Sequence, residues 1–144
     1  MPEKKTLERA AKAKRAGKSP STQAGAFVKE QIDHIREGKH GAKSAKQAIA
    51  IGLSKARRAG VKLATPKRAS ASTKKSAQSA SARAGKKVSA RRSRATTEAL
   101  EREPHAAGSH AALARQAKAS ARTRGKTARV KAAKKAARTR SRHT

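Results

Sequence analysis

Only fifteen of the 144 side chains are apolar and larger than alanine, while 39 are Lys or Arg and 8 are Asp or Glu. The net charge is +31. Folding requires that buried apolar area offset chain entropy, and few apolar residues with high net charge work against it. Fifteen large side chains cannot enclose a core for a chain of this length. Alanine, with 35 copies, supplies all of the remaining hydrophobic composition but little buried area. A deep cofactor pocket is not expected, and no enzyme built around one. Cys, Trp and Tyr are absent and Phe27 is the only aromatic residue. Without cysteine there is no disulfide, thiolate metal site or thiol nucleophile. No apolar run approaches the roughly 18 residues of a membrane span, so no membrane partner is expected. Met1-Pro2-Glu3-Lys4-Lys5 lacks the apolar stretch of a signal peptide, which points to the cytoplasm.

A run of five or six like charges reads as a solvated face. A charge of +31 over the whole chain reads instead as attraction to polyanions, which in the cytosol are mainly DNA and RNA.

The large apolar residues cluster. Nine of the fifteen lie between Phe27 and Leu63, and only four follow Leu63. Residues 1–63 carry 16 basic and 5 acidic residues, and residues 64–144 carry 23 and 3. The second part is more basic and almost without apolar side chains. The boundary is placed at Ala64-Thr65-Pro66, because proline stops a helix.

Residues 1–18 read as a basic arm with at most a fraying helix before Gly17. Residues 19–63 hold the folding logic. Ser19 with Pro20 behind it has the form of a helix cap. Ala24, Phe27, Val28, Ile32 and Ile35 then recur at helical spacing, and Gly38 is placed to end the helix. Ser44-Ala45-Lys46-Gln47 has the S-x-x-Q form of a capping box. Ala45, Ala48, Ile49, Gly52, Leu53 and Ala56 form the next stripe, which Gly60 closes. The two helices make a hairpin of about 40 residues, near the lower limit for independent folding, so self-association through the 24–56 apolar stripes or a bound polyanion is expected to hold it. Residues 64–144 read as a disordered Ala/Ser/Lys/Arg-rich tail with at most short helices near 97–103 and 109–123. The expected fold class is mainly α: a small two-helix hairpin over about 20–60 with largely disordered basic arms. Lys14-Arg15-Ala16-Gly17, Arg57-Arg58-Ala59-Gly60 and Arg122-Thr123-Arg124-Gly125 each place cations in a last helical turn before glycine.

Candidate chemistry is sparse. Gly38-Lys39-His40-Gly41-Ala42-Lys43-Ser44 lacks the glycines of a phosphate loop, with Ala42 and Glu37 at those positions, and no strand precedes it. A helix start flanked by glycine and lysine still suits an anion, which makes Lys43, Ser44 and Lys46 candidates for phosphate contact. Lys55, Arg57 and Arg58 on the same helix join them. Arg91, Arg92, Arg94, Arg122, Arg124, Lys126, Lys134 and Lys135 are the tail candidates. Glu30, His34 and Glu37 share one helix face, with Asp33 beside them. They are expected to pair with basic groups on the second helix or a neighbouring molecule, or to keep this face off DNA. The remaining histidines are scattered, so no metal, catalytic residue or cofactor is expected. No zinc finger, homeodomain or basic zipper is present, and single-strand binding uses aromatic platforms that this chain lacks. Contact with the duplex backbone is therefore favoured.

Gly41–Ile49 partly resembles the second half of a helix-hairpin-helix motif, which presents backbone N–H groups to a DNA phosphate. Lys18-Ser19-Pro20-Ser21-Thr22-Gln23-Ala24-Gly25, followed by Gly38–Gly60, resembles a small uncharacterised bacterial family of basic proteins described as DNA-binding on composition. The likeness covers about Lys18–Leu63 and extends more faintly over Ala95–Gly125. The tail is similar in composition to linker-histone tails and to histone-like nucleoid proteins. These resemblances imply a nucleoid-associated DNA-binding protein. An RNA-binding or ribosome-associated protein, and a helical interaction scaffold, are the alternatives.

Overall fold

Local sequence sets where the central helices begin. The Ser19 side chain accepts a hydrogen bond from the Thr22 backbone N–H, and Pro20 opens helix α2 (Pro20–Arg36). Ser44 likewise accepts from Gln47 N–H at the start of α3 (Ala45–Arg58). The other α-helices are α1 (Lys4–Arg15), α4 (Ala71–Ala82), α5 (Ala90–Glu101) and α6 (His110–Arg142), with a 3-10 helix at His105–Gly108. This is a computed structural model that describes residues 1–143. Among the described residues there is no strand. Gly17, Gly60 and Gly125 adopt φ of 69°, 95° and 76°, so each cation–glycine string does end a helical stretch.

The expectation of a two-helix hairpin with largely disordered arms is corrected. The arms are helical. Alanine, lysine and arginine are among the strongest helix formers, and an apolar stripe is not needed to set the local conformation. Capping adds to propensity: Ser70 accepts from Thr73 N–H at the start of α4.

The chain divides into two compact units, residues 1–109 and 110–144. In the first, α2 packs on both α1 and α3, and α4 packs on α3. One apolar cluster joins Ala10, Ala24, Phe27, Ala56 and Val61, with Leu53 and Leu63 against it. A second joins Ile35, Ala42, Ala48 and Ala107. Both clusters are built mostly from alanine, so helices must approach closely to exclude water. Gly52 permits this: a Cβ there would lie 2.6 Å from Val28 Cα. Of the apolar stripes expected to allow self-association, Ala24, Phe27, Ile35, Ala45, Ala48 and Ala56 are buried inside one chain, while Val28, Ile32, Ile49 and Leu53 are half-buried.

Three further elements replace the missing large side chains. Helix α1 docks through Thr6 and Ala10, while Leu7 stays 43% exposed. The stretch 100–108 straps across the α2–α3 loop. Gly41 N–H donates to Leu100 O at 2.8 Å and Ala42 N–H to Pro104 O at 3.1 Å. Arg36 Nε donates to Gly108 O at 2.7 Å, and Ala107 enters the second cluster. Helix α4 buries Ala77 and Ala80, and Gly85 N–H donates to Arg58 O at 3.0 Å.

In the second unit α6 buries no residue and breaks at Gly125 (φ 76°, ψ 169°) into two helical pieces. No helix of the described residues is long and apolar enough to cross a membrane.

Candidate nucleic-acid interface

Lysines 43 and 46 flank the start of α3 with both side chains exposed. Part of the loop backbone there is already engaged. The capping box closes in both directions: Lys43 N–H donates to Gln47 Oε1 at 2.7 Å, and Gln47 N–H to Ser44 Oγ at 3.2 Å. Gly41 and Ala42 give their N–H groups to the 100–104 strap. The amides of Gly41, Ala42 and Lys43 are therefore spent within the chain, and Ser44 serves as a cap. The first amides of α3 and the exposed Lys43 and Lys46 side chains are what this end of the helix presents.

The other α3 candidates lie at its opposite end, about 18 Å from Lys46 by helical rise. Arg58 is exposed. Arg57 is only 8% exposed and donates from Nη2 to Ala64 O at 3.1 Å. It ties the α3 C-terminus to the loop that follows and is not presented to a ligand. Lys55 is partly buried, and burial pushes its ammonium below the usual lysine range. The Glu30 charge opposes that shift, and Arg58 adds to it. Helix α3 thus presents Lys46 and Arg58 as exposed cations, with Lys43 exposed just before its cap, and keeps Arg57 for the fold.

Arg91, Arg92 and Arg94 stand exposed on α5, which buries none of its own residues. In the second unit Arg122, Arg124, Lys126, Lys134 and Lys135 are exposed along α6. Past Gly125, Lys131, Lys134, Lys135, Arg138 and Arg142 share one surface with Thr139. The run 110–144 holds twelve basic residues and no acid, so all eight acids of the chain belong to the first unit.

The acidic face of α2 has a partner that sequence spacing missed. Glu3, just before α1, places Oε1 2.9 Å from His34 Nε2 and 3.6 Å from Lys39 Nζ. The His34 hydrogen bond, helped by the charges of His34 and Lys39, holds the Glu3 carboxyl below the usual glutamate range. Lys39 also reaches Glu37 at 3.0 Å, and that hydrogen bond raises its ammonium above the usual lysine value. Glu30 is 5% exposed and accepts the Glu3 backbone N–H at 3.2 Å. These groups line a groove of about 180 Å³ between α1 and α2. Asp33 pairs with Lys29 within α2 and Glu37 with Lys39 just after it, Glu30 and His34 reach Glu3 ahead of α1, and on the second hairpin helix Lys55 feels the Glu30 charge. Among the described residues no group of His, Cys, Asp or Glu has the arrangement to hold a metal ion.

Residues 12–68 match a family model described as a family of unknown function, DUF6496. The matched stretch takes in the end of α1, all of α2 and α3, and the loop leading toward α4. No curated protein and no solved structure matches the chain.

Proposed function

We propose that this protein is a non-enzymatic, nucleoid-associated protein that binds the phosphate backbone of nucleic acid, with duplex DNA favoured and little sequence preference. The segregation of charge carries this reading. Residues 110–144 bear twelve cations without an acid, and residues 1–109 hold all eight acids. A helix of that composition with no buried face has nothing to gain from packing against protein, and its charge is matched by a phosphodiester chain. Exposed Lys43, Lys46, Arg58, Arg91, Arg92 and Arg94 add cations on the first unit.

Affinity would come from counterion release. If about ten phosphates are neutralised, log K falls with log salt at a slope near −9. Fluorescence anisotropy with a labelled DNA duplex over a salt series measures that slope, with structured RNA as competitor at equal salt. A slope near zero, or no binding at low ionic strength, would refute the reading. RNA displacing DNA efficiently would shift it to an RNA-binding protein.

A further inference from the structure

The helical piece after Gly125 carries eight cations in residues 126–142 and no acid. On a helix turning about 100° per residue these cations do not spread evenly. Lys131, Lys134, Lys135, Arg138 and Arg142 fall within an arc of about 100°. Lys126, Arg129 and Arg140 fall within a second arc on the opposite side of the axis. The wider seam between the two arcs is filled by Ala128, Ala132, Ala136 and Thr139, and the narrower one by Val130, Ala137 and Ser141. The helix therefore has two cationic rails separated by surfaces of small side chains. Every residue of the piece is exposed.

Resting on the nucleic-acid reading above, we infer that the Lys126–Arg142 helix lies lengthwise in the major groove of B-form DNA, with the Ala128–Ala132–Ala136 seam toward the base edges and the two rails on the two flanking phosphate backbones. The dimensions agree. The major groove is about 12 Å wide and admits an α-helix of about 10–12 Å diameter. Alanines at the seam let the helix axis sit deep, and flexible Lys and Arg stems span outward to both walls. Seventeen residues rise about 25 Å, somewhat less than one turn of duplex. A-form RNA has a deep, narrow major groove that a helix cannot enter, so the arrangement selects DNA over double-stranded RNA. It needs no base-specific hydrogen bond, because no long polar side chain projects from the alanine seam.

The test uses the full chain and a short labelled duplex at fixed moderate salt. Four ligands are compared: the plain duplex, the same duplex with glucosylated 5-hydroxymethylcytosines that fill the major groove, the duplex saturated with the minor-groove ligand netropsin, and double-stranded RNA of the same sequence. Expected are at least about tenfold weaker binding to the groove-filled DNA and to the RNA, and no loss with netropsin. Two variants of equal net charge report the orientation: Ala132→Glu, on the inward seam, weakens binding several-fold more than Ala137→Glu, on the opposite seam. Equal binding to plain and groove-filled DNA, displacement by netropsin, or equal effects of the two glutamates would overturn the groove assignment while leaving backbone binding intact. No binding to any of these polyanions would overturn both readings.

Discussion

The backbone N–H of Gly41 donates to the carbonyl oxygen of Leu100 at 2.8 Å, joining the α2–α3 loop to the last turn of α5. No side chain fits at that position. A Cβ on residue 41 would lie 1.9 Å from the Glu103 carbonyl oxygen. Gly41→Ala is therefore expected to lift the 100–108 strap and expose Ala107 and Ile35, costing roughly 2–4 kcal/mol. Urea unfolding followed by helical circular dichroism gives the loss. Amide exchange at Ala42, whose N–H bonds Pro104 O, shows whether the strap has opened.

The same substitution should have opposite signs at two glycines of the central helix pair. At Gly52 a Cβ would stand 2.6 Å from Val28 Cα, so Gly52→Ala forces α2 and α3 apart and costs roughly 1–3 kcal/mol. At Gly25, within exposed α2 surface, a Cβ meets nothing within 4 Å. Gly25→Ala should stabilise by about 0.5–1 kcal/mol through helix propensity. Melting temperatures of the two variants, moving in opposite directions, check the pair.

Adjacent arginines on α3 should separate stability from binding. Arg57 is buried and bonds Ala64 O, so Arg57→Ala is expected to cost about 1–3 kcal/mol of stability. Below its melting transition the variant should keep the wild-type salt slope for DNA. Arg58→Ala should leave stability nearly unchanged and reduce the slope by about 1. A salt series on both variants distinguishes them, and equal slopes for all three proteins would remove Arg58 from the interface.

Acid should loosen α1 before the rest of the first unit. The Glu3 carboxyl is held below its ordinary range first by the His34 hydrogen bond and then by the charges of His34 and Lys39. A carboxyl depressed in the folded state contributes stability that is present above its unfolded value and is lost as pH falls through the folded one. Glu37 shares Lys39 and faces the same groove. Amide exchange at Thr6 and Leu7, whose N–H groups bond Glu3 O, should accelerate on acidification below the usual glutamate range. Glu3→Gln should remove much of that acid limb.

Helicity in the second unit should depend on counterions. Lys131/Lys135, Lys134/Arg138 and Arg138/Arg142 are like charges four residues apart. Each such pair opposes the helix by about 0.2–0.5 kcal/mol. Salt or a bound polyanion relieves the repulsion, so circular dichroism of the full chain should gain helical signal on adding sulfate or duplex DNA. An unchanged spectrum would show that this repulsion is too small to matter.

Much of the local structure was legible in the residues alone. Ser19 with Pro20 and the Ser44–Gln47 box start helices where their chemistry says they should, because capping involves groups within a few positions of one another. The glycines at 17, 60 and 125 end helical stretches for the same reason. The arms are helical although they lack an apolar stripe, because alanine's intrinsic preference for the helix acts without one. At the candidate interface, Lys43, Lys46 and the α5 and α6 cations are exposed as composition suggested. Arg57 is not, since its burial depends on where Ala64 returns against α3. The role of Glu3 is not legible in the sequence, because its partners His34 and Lys39 are remote from it along the chain.

Charge, helix starts and helix stops are properties of short windows, so the order of residues determined them. Which alanines and glycines became a core was decided only in three dimensions. With side chains this small, water is excluded by close backbone approach, as at Gly52 on Val28 and Gly41 on Glu103, and that fit arises only when α1, α2, α3 and the 100–108 strap come together.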